Sequence, residues 1–364
     1  MYVKLLTRTL FQVDSIKFFA ISAMAAAMIT SCSNEDELSQ SNYPSDNIIR
    51  ITAGVNNAKT RAEGAGTPLK NPLSLTVVNK NAPKYTYVNQ VFSKDENEVW
   101  NCSETLLWQK DTQPVDIVAF APAPNDKFNG VYTDGSIQPI TYSVADDQST
   151  SSDNNDLLYY YAPGFVPKEK LVDKKLNIKM NHAFCMIDIV VTLGTEFNKP
   201  EVLENSPIVK VTLGGTKIAA NVDVKNAPTG STTGTTEGTT EGSTTTGSTT
   251  ASFVTASGEA TDITTTKGTF TPAVNAEKKA DPEVNAISNF SCIAIPQTVA
   301  ANTFKVSLMT ADKLYEWTSA EPVKLQSGCR YTLKLSMGND VVLLKGGITA
   351  SEWKPGEGGS LETD

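Results

Sequence analysis

The sequence has very little histidine and lacks the residue patterns of common enzyme sites. Of its 364 residues only His182 is a histidine, so a Ser-His-Asp or Cys-His site would have to use it. His182 begins an apolar strand pattern, where we expect it to pack or cap. There is no P-loop, GxGxxG, HExxH or calcium-loop motif, and Gly214 to Lys217 (GGTK) is interpreted as a turn. The sequence therefore predicts no enzyme, no cofactor and no metal site.

Basic residues and cysteines are also scarce. Lys and Arg number 31 against 40 Asp and Glu, a net charge of −9, which excludes nucleic acid as a partner because phosphate binding needs clustered cations.

The 5 cysteines form no CxxC pair, so a zinc site is not expected. Cys185 falls in an apolar strand pattern and is predicted to be buried. A disulfide between Cys292 and Cys329 stays open at this stage, as does the state of Cys102.

Only one hydrophobic run stands out, and it lies at the amino terminus. The run Phe18–Thr30 is too short to cross a bilayer of ~30 Å as a helix. It is typical of a signal peptide, here residues 1–31. It follows three basic residues, Lys4, Arg8 and Lys17. Cys32 comes directly after small residues, as in a lipobox, and is predicted to carry the lipid. An acidic tether, Ser33–Glu37, follows it.

Period-two alternation, typical of strands with one buried face, dominates the rest of the chain. In Ile49–Val55 the odd positions are apolar and the even ones are polar or glycine. The same alternation recurs at residues 176–180, 183–191, 304–308 and 331–337. Many short strands separated by turn residues predict an all-β sandwich architecture. Residues 229–250 contain only Thr, Gly, Ser and Glu, so we expect a flexible loop over 228–252.

Several short segments follow one another in a distinctive order. They are Lys59–Ala62 (KTRA), Asn155–Tyr159 (NDLLY), Leu176–Phe184 (LNIKMNHAF), Cys292–Thr298 (CIAIPQT), Leu325–Leu333 and Ile348–Trp353. In this order they resemble the fimbrillin family, the type V pilins of Bacteroidota, in its fimbrillin-like lipoprotein branch. The Thr/Gly tract departs from the family pattern. The resemblance implies two tandem transthyretin-like β-sandwich domains, which we place at residues 62–199 and 200–364, after a lipidated prosegment at 32–61.

The resemblance also implies an assembly mechanism. The lipoprotein precursor reaches the surface of the outer membrane, and an Arg-specific surface protease cuts after an arginine, here between Arg61 and Ala62. The first strand then leaves with the prosegment, and a strand of a neighbouring pilin subunit fills the groove in the fimbria. The apolar residues of the displaced strand would be Ile49, Ile51 and Val55. Arg50 is a rival cleavage site, but it lies inside the predicted strand.

Two questions stay open at this stage. Of the two carboxyl-terminal segments, Val341–Lys345 is expected to close the last domain, whereas the role of Ile348–Trp353 as closing or donor strand is undecided. The main alternative function is a monomeric surface lipoprotein that binds a glycan or another ligand, with Tyr159, Tyr160 and Tyr161 as candidate stacking residues. A surface hydrolase is a third alternative, and the single histidine argues against it.

Overall fold

The computed structural model describes residues 42–56, 67–150, 155–197, 204–228, 252–274, 281, 283–338 and 342–353. The chain divides into two compact units, residues 1–40 and 41–364. The first unit lies outside the described residues. So do Cys32, Arg61, Ala62 and the tract at 229–250. The predictions made for these positions therefore stay predictions.

β-Strands make up most of the described chain, which confirms the all-β prediction. A single-turn α-helix, α1, spans Pro167–Lys170, and short 3-10 turns lie at Pro83–Tyr85, Asp126–Phe128, Thr195–Phe197 and Val224–Asn226. The strands are β1 (Ile51–Val55), β2 (Thr67–Pro68), β3 (Leu73–Val78), β4 (Tyr87–Lys94), β5 (Trp100–Cys102), β6 (Val115–Ala121), β7 (Tyr132–Thr133), β8 (Ser136–Ile137), β9 (Ile140–Ser143), β10 (Leu158–Phe165), β11 (Leu176–His182), β12 (Cys185–Leu193), β13 (Ile208–Gly214), β14 (Lys217–Val222), β15 (Val254–Ala260), β16 (Ile263–Thr264), β17 (Thr266–Thr271), β18 (Ile287–Ala294), β19 (Thr298–Val299), β20 (Lys305–Thr310), β21 (Leu314–Thr318), β22 (Val323–Lys324), β23 (Cys329–Met337) and β24 (Val342–Glu352).

An eight-stranded sheet in the order β2-β1-β11-β10-β6-β3-β4-β5 dominates the amino-terminal part. β1 runs parallel to β11, whereas the other pairs of this sheet are antiparallel. The alternation read from the sequence is seen directly in β11, where Leu176, Ile178 and Met180 are fully buried in one hydrophobic core. This core packs on one face of the sheet, because residues two apart on a strand share a face.

A second core is built mainly by the carboxyl-terminal strands. The five-stranded sheet has the order β17-β18-β12-β23-β24, and it is accompanied by the sheets β16-β13-β20-β21 and β15-β14-β9. On β12 the residues Cys185, Ile187, Ile189 and Val191 are fully buried, as their alternation predicts. β12 runs parallel to β23 and antiparallel to β18, and its apolar face belongs to the second core.

Strand pairing crosses the region where a domain boundary is predicted. β9 and β12 both precede residue 200, yet β9 pairs with β14 and β12 pairs with β18 and β23. The described residues of 41–364 form one compact unit with two hydrophobic cores. The division into domains at 62–199 and 200–364 remains a prediction.

The cysteines beyond Cys32 are all free thiols: Cys102, Cys185, Cys292 and Cys329. Cys185 is fully buried, as predicted. Cys292 is fully buried as well, and burial raises its pKa to about 12, so this thiol is protonated and unreactive at neutral pH. The disulfide left open between Cys292 and Cys329 is not present. Among the described residues, no helix is long and apolar enough to span a membrane.

Candidate functional site

The first strand lies almost at the edge of the eight-stranded sheet. On one side β1 pairs with β11 from Ile51 opposite Leu176 to Val55 opposite Met180. On its other side, within the described residues, β1 pairs with just the two-residue strand β2. The ladder to β11 is extended at both ends, since Leu176 N donates to Arg50 O at 2.8 Å and Asn56 N donates to Met180 O at 2.7 Å. β1 is therefore held mainly by one parallel neighbour.

The apolar side chains of β1, together with that of Ile49 just before it, cover part of the first core. The side chains of Ile49, Ile51 and Val55 are exposed by only 4%, 4% and 7%, and they belong to the same core as Leu176 and Ile178 of β11. The three residues predicted as the apolar face of a displaced strand thus do face the core. Whether the strand is displaced is not visible in this structure and stays a prediction.

The chain leading into β1 is fixed by a second set of bonds. Ile49 N donates to Leu106 O and Trp108 N donates to Asn47 O, both at 2.8 Å. The Arg50 guanidinium donates two hydrogen bonds to the Asp46 carboxylate, at 2.9 and 2.6 Å, and this contact holds the pKa of Asp46 well below its usual range. Arg50 therefore has both its carbonyl and its side chain engaged.

β1 and β2 bring the two ends of the predicted cleavage segment together. Val55 pairs directly with Thr67 and Gly54 with Pro68. The intervening segment, which contains Arg61 and Ala62, therefore connects two adjacent antiparallel strands. Cleavage between Arg61 and Ala62 would leave β2 on the body of the protein and β1 on the released piece.

The two carboxyl-terminal segments form a single strand. β24 pairs with β23 over its length, with an irregular register between Leu333 and Leu335 of β23. Opposite that irregularity, Gly346 and Gly347 adopt φ values of +76° and +81°, which glycine tolerates best. Val342–Lys345 thus forms the last strand of the sheet, as expected. The segment that begins at Ile348 continues the same edge strand. Most β24 side chains are exposed, Leu343 by 59%.

His182, at the end of β11, contacts two residues that are far from it in the sequence, Asp156 and Trp353. Its Nδ1 lies 2.9 Å from Oδ2 of Asp156, and its ring stacks on Trp353 with centroids 3.7 Å apart and planes inclined by 13°. The residue therefore packs at a strand end, as predicted. The sequence did not show that Asp156 and Trp353 are its partners, although each belongs to a segment that carries the family resemblance.

The candidate stacking tyrosines do not form an open platform. Tyr159 is 6% exposed and packs on Phe253 with ring centroids 4.6 Å apart. Tyr160 and Tyr161 are half-buried and pack against opposite cores. The three tyrosines therefore offer no open surface on which a sugar ring could stack. The described residues also contain no group of three or more His, Cys, Asp and Glu side chains that would hold a metal ion.

Two solved structures with the same fold come from Bacteroides species. One, from Bacteroides uniformis and provisionally assigned to cell adhesion, matches with a TM-score of 0.51 and 15% identity, over 85% of this chain and 100% of its own. Another, from Bacteroides ovatus with the same provisional assignment, has a TM-score of 0.54 and 15% identity, over 84% and 97% of the two chains. At such identities the likeness establishes the fold alone. No curated protein is significantly similar in sequence.

The sequence profile of the fimbrillin-like family matches residues 60–353. The match covers most of the chain and runs from the segment before β2 to the end of β24. It confirms the predicted resemblance, and with it a pilin-like, non-enzymatic subunit of the cell surface. The chain belongs to the fimbrillin-like family.

Proposed function

We propose that this protein is a structural or adhesive pilin subunit that is exported as a lipoprotein and assembled by strand removal and exchange. One observation carries the proposal. Ile49 and, in β1, Ile51 and Val55 insert three buried apolar side chains into the first core, whereas the outer side of β1 pairs, among the described residues, with just the two residues of β2. A strand with so little on its outer side can be withdrawn once the chain behind it is cut, although its withdrawal also breaks the backbone bonds that Asn47 and Ile49 make to Trp108 and Leu106.

Export and anchoring rest on the amino terminus. Removal of residues 1–31 leaves Cys32 as the lipid-bearing first residue, followed by the acidic tether. Each buried methylene of an acyl chain contributes ~0.8 kcal/mol of membrane affinity, and stable anchoring needs more than one chain. Because the acidic tether adds no attraction to anionic lipid, the lipid holds the precursor at the outer membrane by itself.

Processing rests on the segment between β1 and β2. Arg61 is followed closely by Gly64, Ala65 and Gly66, and small, flexible residues favour the extended conformation that a protease requires. Arg50 is the poorer substrate, since its carbonyl accepts a hydrogen bond from Leu176 N within the sheet. Cleavage after Arg61 separates the lipid and β1 from the body, so the anchor belongs to the precursor and not to the fibre.

The vacated groove would favour a new strand. Loss of β1 exposes the backbone edge of β11, and an open strand edge is a template for pairing. It also exposes the core that Ile49, Ile51 and Val55 covered. Burial of three aliphatic side chains is worth roughly 1.5–3 kcal/mol each before entropic costs. An incoming strand adds main-chain hydrogen bonds and pockets for alternate side chains.

The carboxyl-terminal strand of a neighbouring copy fits this groove. β24 begins with the same alternation as the strand it would replace. In order, Val342, Leu344, Gly346 and Ile348 correspond to Ile49, Ile51, Ala53 and Val55. Both series read apolar, apolar, small, apolar. Since residues two apart share a face, the segment 342–348 of a second subunit presents matching side chains when extended.

Limited digestion with an Arg-specific protease tests the proposal. The mature chain should be cut after Arg61 and then form oligomers that resist SDS. The Arg61→Ala variant should remain intact and monomeric, and Lys59→Ala, two residues away, should behave as the parent protein. Loss of residues 32–61 with only monomers remaining would count against strand exchange and favour the monomeric surface lipoprotein. Assembly of Arg61→Ala on cells would contradict the processing step.

A pair of neighbouring substitutions tests the donor segment. Leu344→Asp places a charge on the face that would enter the groove, and the cut protein should then stay monomeric because burial of an unpaired charge is costly. Leu343→Asp, on the other face and 59% exposed in the free subunit, should still assemble. Equal assembly of both variants would show that β24 is not the donor.

A further inference from the structure

Trp353 is the last described residue of the chain, and it contacts both the end of β11 in the amino-terminal sheet and its own part of the fold, where it packs against the second core. Its indole stacks on the imidazole of His182 at a centroid distance of 3.7 Å. Its backbone N donates to Gly328 O at 2.8 Å. The end of the carboxyl-terminal strand is therefore fixed to the end of β11, a strand of the other core.

The imidazole is itself held in place. Asp156 accepts at 2.9 Å from Nδ1 of His182, and the two side chains are only 16% and 8% exposed. β10 and β11 begin their ladder at Leu158 opposite His182, two residues after Asp156. The imidazole of His182 is thus held through Nδ1 by the Asp156 carboxylate, and its backbone is held by the pairing of β10 with β11. The ring offers Trp353 a rigid flat surface.

The rest of β24 is paired with β23, but few of its side chains are buried. It is the last strand of its sheet, paired only with β23 among the described residues. The ladder is interrupted at Gly346 and Gly347, and most side chains beyond Val342 are exposed. Local opening of a structure is easiest where few apolar contacts are buried. The residues after Gly347 are therefore held by their ladder to β23 and, at its end, by the stack between Trp353 and His182.

The same end of β11 also receives the last contacts of the first strand. Asn56 N donates to Met180 O at 2.7 Å, and Asn56 Nδ2 donates to Asn181 Oδ1 at 3.1 Å. These contacts directly precede His182. When β1 leaves, both bonds are lost and β11 has no neighbour on that side. The strand that bounds the vacated groove is thus the strand whose end holds Trp353.

We propose that Asp156, His182 and Trp353 form a latch that keeps the carboxyl-terminal strand folded on its own subunit, and that loss of β1 weakens it. This inference rests on the proposed strand exchange, and the latch would regulate when the donor strand becomes available for it. In the precursor, β1 supports β11 and the latch is closed, so the donor segment is withheld. After cleavage the end of β11 loosens, Trp353 is released, and β24 becomes available to a neighbouring copy.

Hydrogen exchange of the full mature chain tests the latch without any assembly. Trp353→Ala should speed exchange of the amides at 348–352 by about tenfold, the order expected for loss of a stacked aromatic pair, while the amides of β6 stay protected. Trp353→Phe, which keeps a ring on His182, should largely restore the slow exchange. Leu343→Ala serves as a control, since it alters an exposed residue of the same strand. Unchanged exchange in Trp353→Ala would overturn the latch.

Two experiments test whether the latch depends on β1, and the first of them does not require cleavage after Arg61. In the uncut chain, Asn56→Ala should speed exchange at 348–352. Thr52→Ala should not, because the exposed Thr52 makes only a 3.4 Å bond to Asn177, at the end of β11 away from His182. In the parent chain cut after Arg61, exchange at 348–352 should rise once residues 32–61 have dissociated. No rise in either experiment would overturn the coupling. If the chain resists cleavage, the processing proposal fails, and the Asn56→Ala result alone decides the coupling.

Discussion

Arg330 of β23 reaches across to Asp188 of β12 and binds its carboxylate with two nitrogens. Nη2 donates to Oδ1 at 3.2 Å and Nε donates to Oδ2. Both side chains are less than one fifth exposed, at 18% and 16%. Because β12 and β23 are parallel, no tight turn joins them, and this bidentate pair ties together two strands at the centre of the five-stranded sheet.

Loss of this ion pair should be clearly destabilising. In Asp188→Asn the guanidinium keeps its half-buried position without an anion, so the free energy of unfolding should fall by about 1.5–3 kcal/mol. Urea denaturation of the mature chain measures the change. Asp46→Asn is the control, because it breaks the more exposed pair with Arg50, and surface pairs contribute little. Equal losses of unfolding free energy in the two variants would contradict a stabilising role for the pair between Arg330 and Asp188.

Ile51 should contribute to the stability of the precursor but not to that of the processed subunit. Its side chain is 4% exposed in the first core, so Ile51→Ala should lower the free energy of unfolding by about 2–5 kcal/mol. Thr52→Ala changes the exposed neighbour and should have little effect. After cleavage at Arg61 and loss of the prosegment, the Ile51→Ala and parent proteins are identical in sequence and should unfold alike. A persistent difference would mean that β1 had not left.

The sequence predicts which residues of a strand face inward, but not which strands become neighbours. Alternation correctly placed Ile49, Ile51 and Val55 in the core, because side-chain direction depends only on local geometry. It did not identify the parallel partner of β1, since Leu176 lies 125 residues after Ile51 and the pairing is set by tertiary packing. Parallel neighbours are never joined by a short hairpin that would reveal them.

The carboxyl-terminal strand shows a second limit of sequence reasoning. The Gly346–Gly347 pair broke the period-two pattern and made one strand look like two segments. Likewise, Asp156, His182 and Trp353 are separated by up to 197 positions, and no spacing rule connects them. The resemblance to fimbrillins identified all three segments, but only the structure shows that they meet.

The turn between β13 and β14, predicted at Gly214 to Lys217, should tolerate no side chain at Gly215. Its φ is +84°, and a Cβ there would lie 2.2 Å from the carbonyl oxygen of Thr303. Gly215→Ala should therefore lower the free energy of unfolding by well over ~1 kcal/mol. Gly258 also has a positive φ, +77°, but a Cβ there would meet nothing within 4 Å. Gly258→Ala isolates the backbone strain and should cost less, as thermal denaturation would show.

Two buried tyrosines should make the protein sensitive to alkali. Burial raises the pKa of Tyr142 and of Tyr159 to about 12, with a further contribution from the charge of Asp156 at Tyr142. Tyrosines of the unfolded chain ionise near pH 10. Between about pH 10 and 12 the unfolded state therefore releases protons that the folded state keeps. The free energy of unfolding should then fall by about 1.4 kcal/mol per pH unit for each of these tyrosines.

Phenylalanine variants measure this dependence, because they keep the ring and remove the ionisable group. Urea denaturation at pH 9, 10 and 11 gives the slope of the free energy of unfolding against pH. Tyr142→Phe and Tyr159→Phe should each flatten that slope relative to the parent protein, and the double variant should flatten it further. Comparing slopes cancels the titration of lysines, which is common to all four proteins, and any change in stability at neutral pH. If the slopes coincide, the two hydroxyl groups ionise as readily in the folded protein as in the unfolded chain.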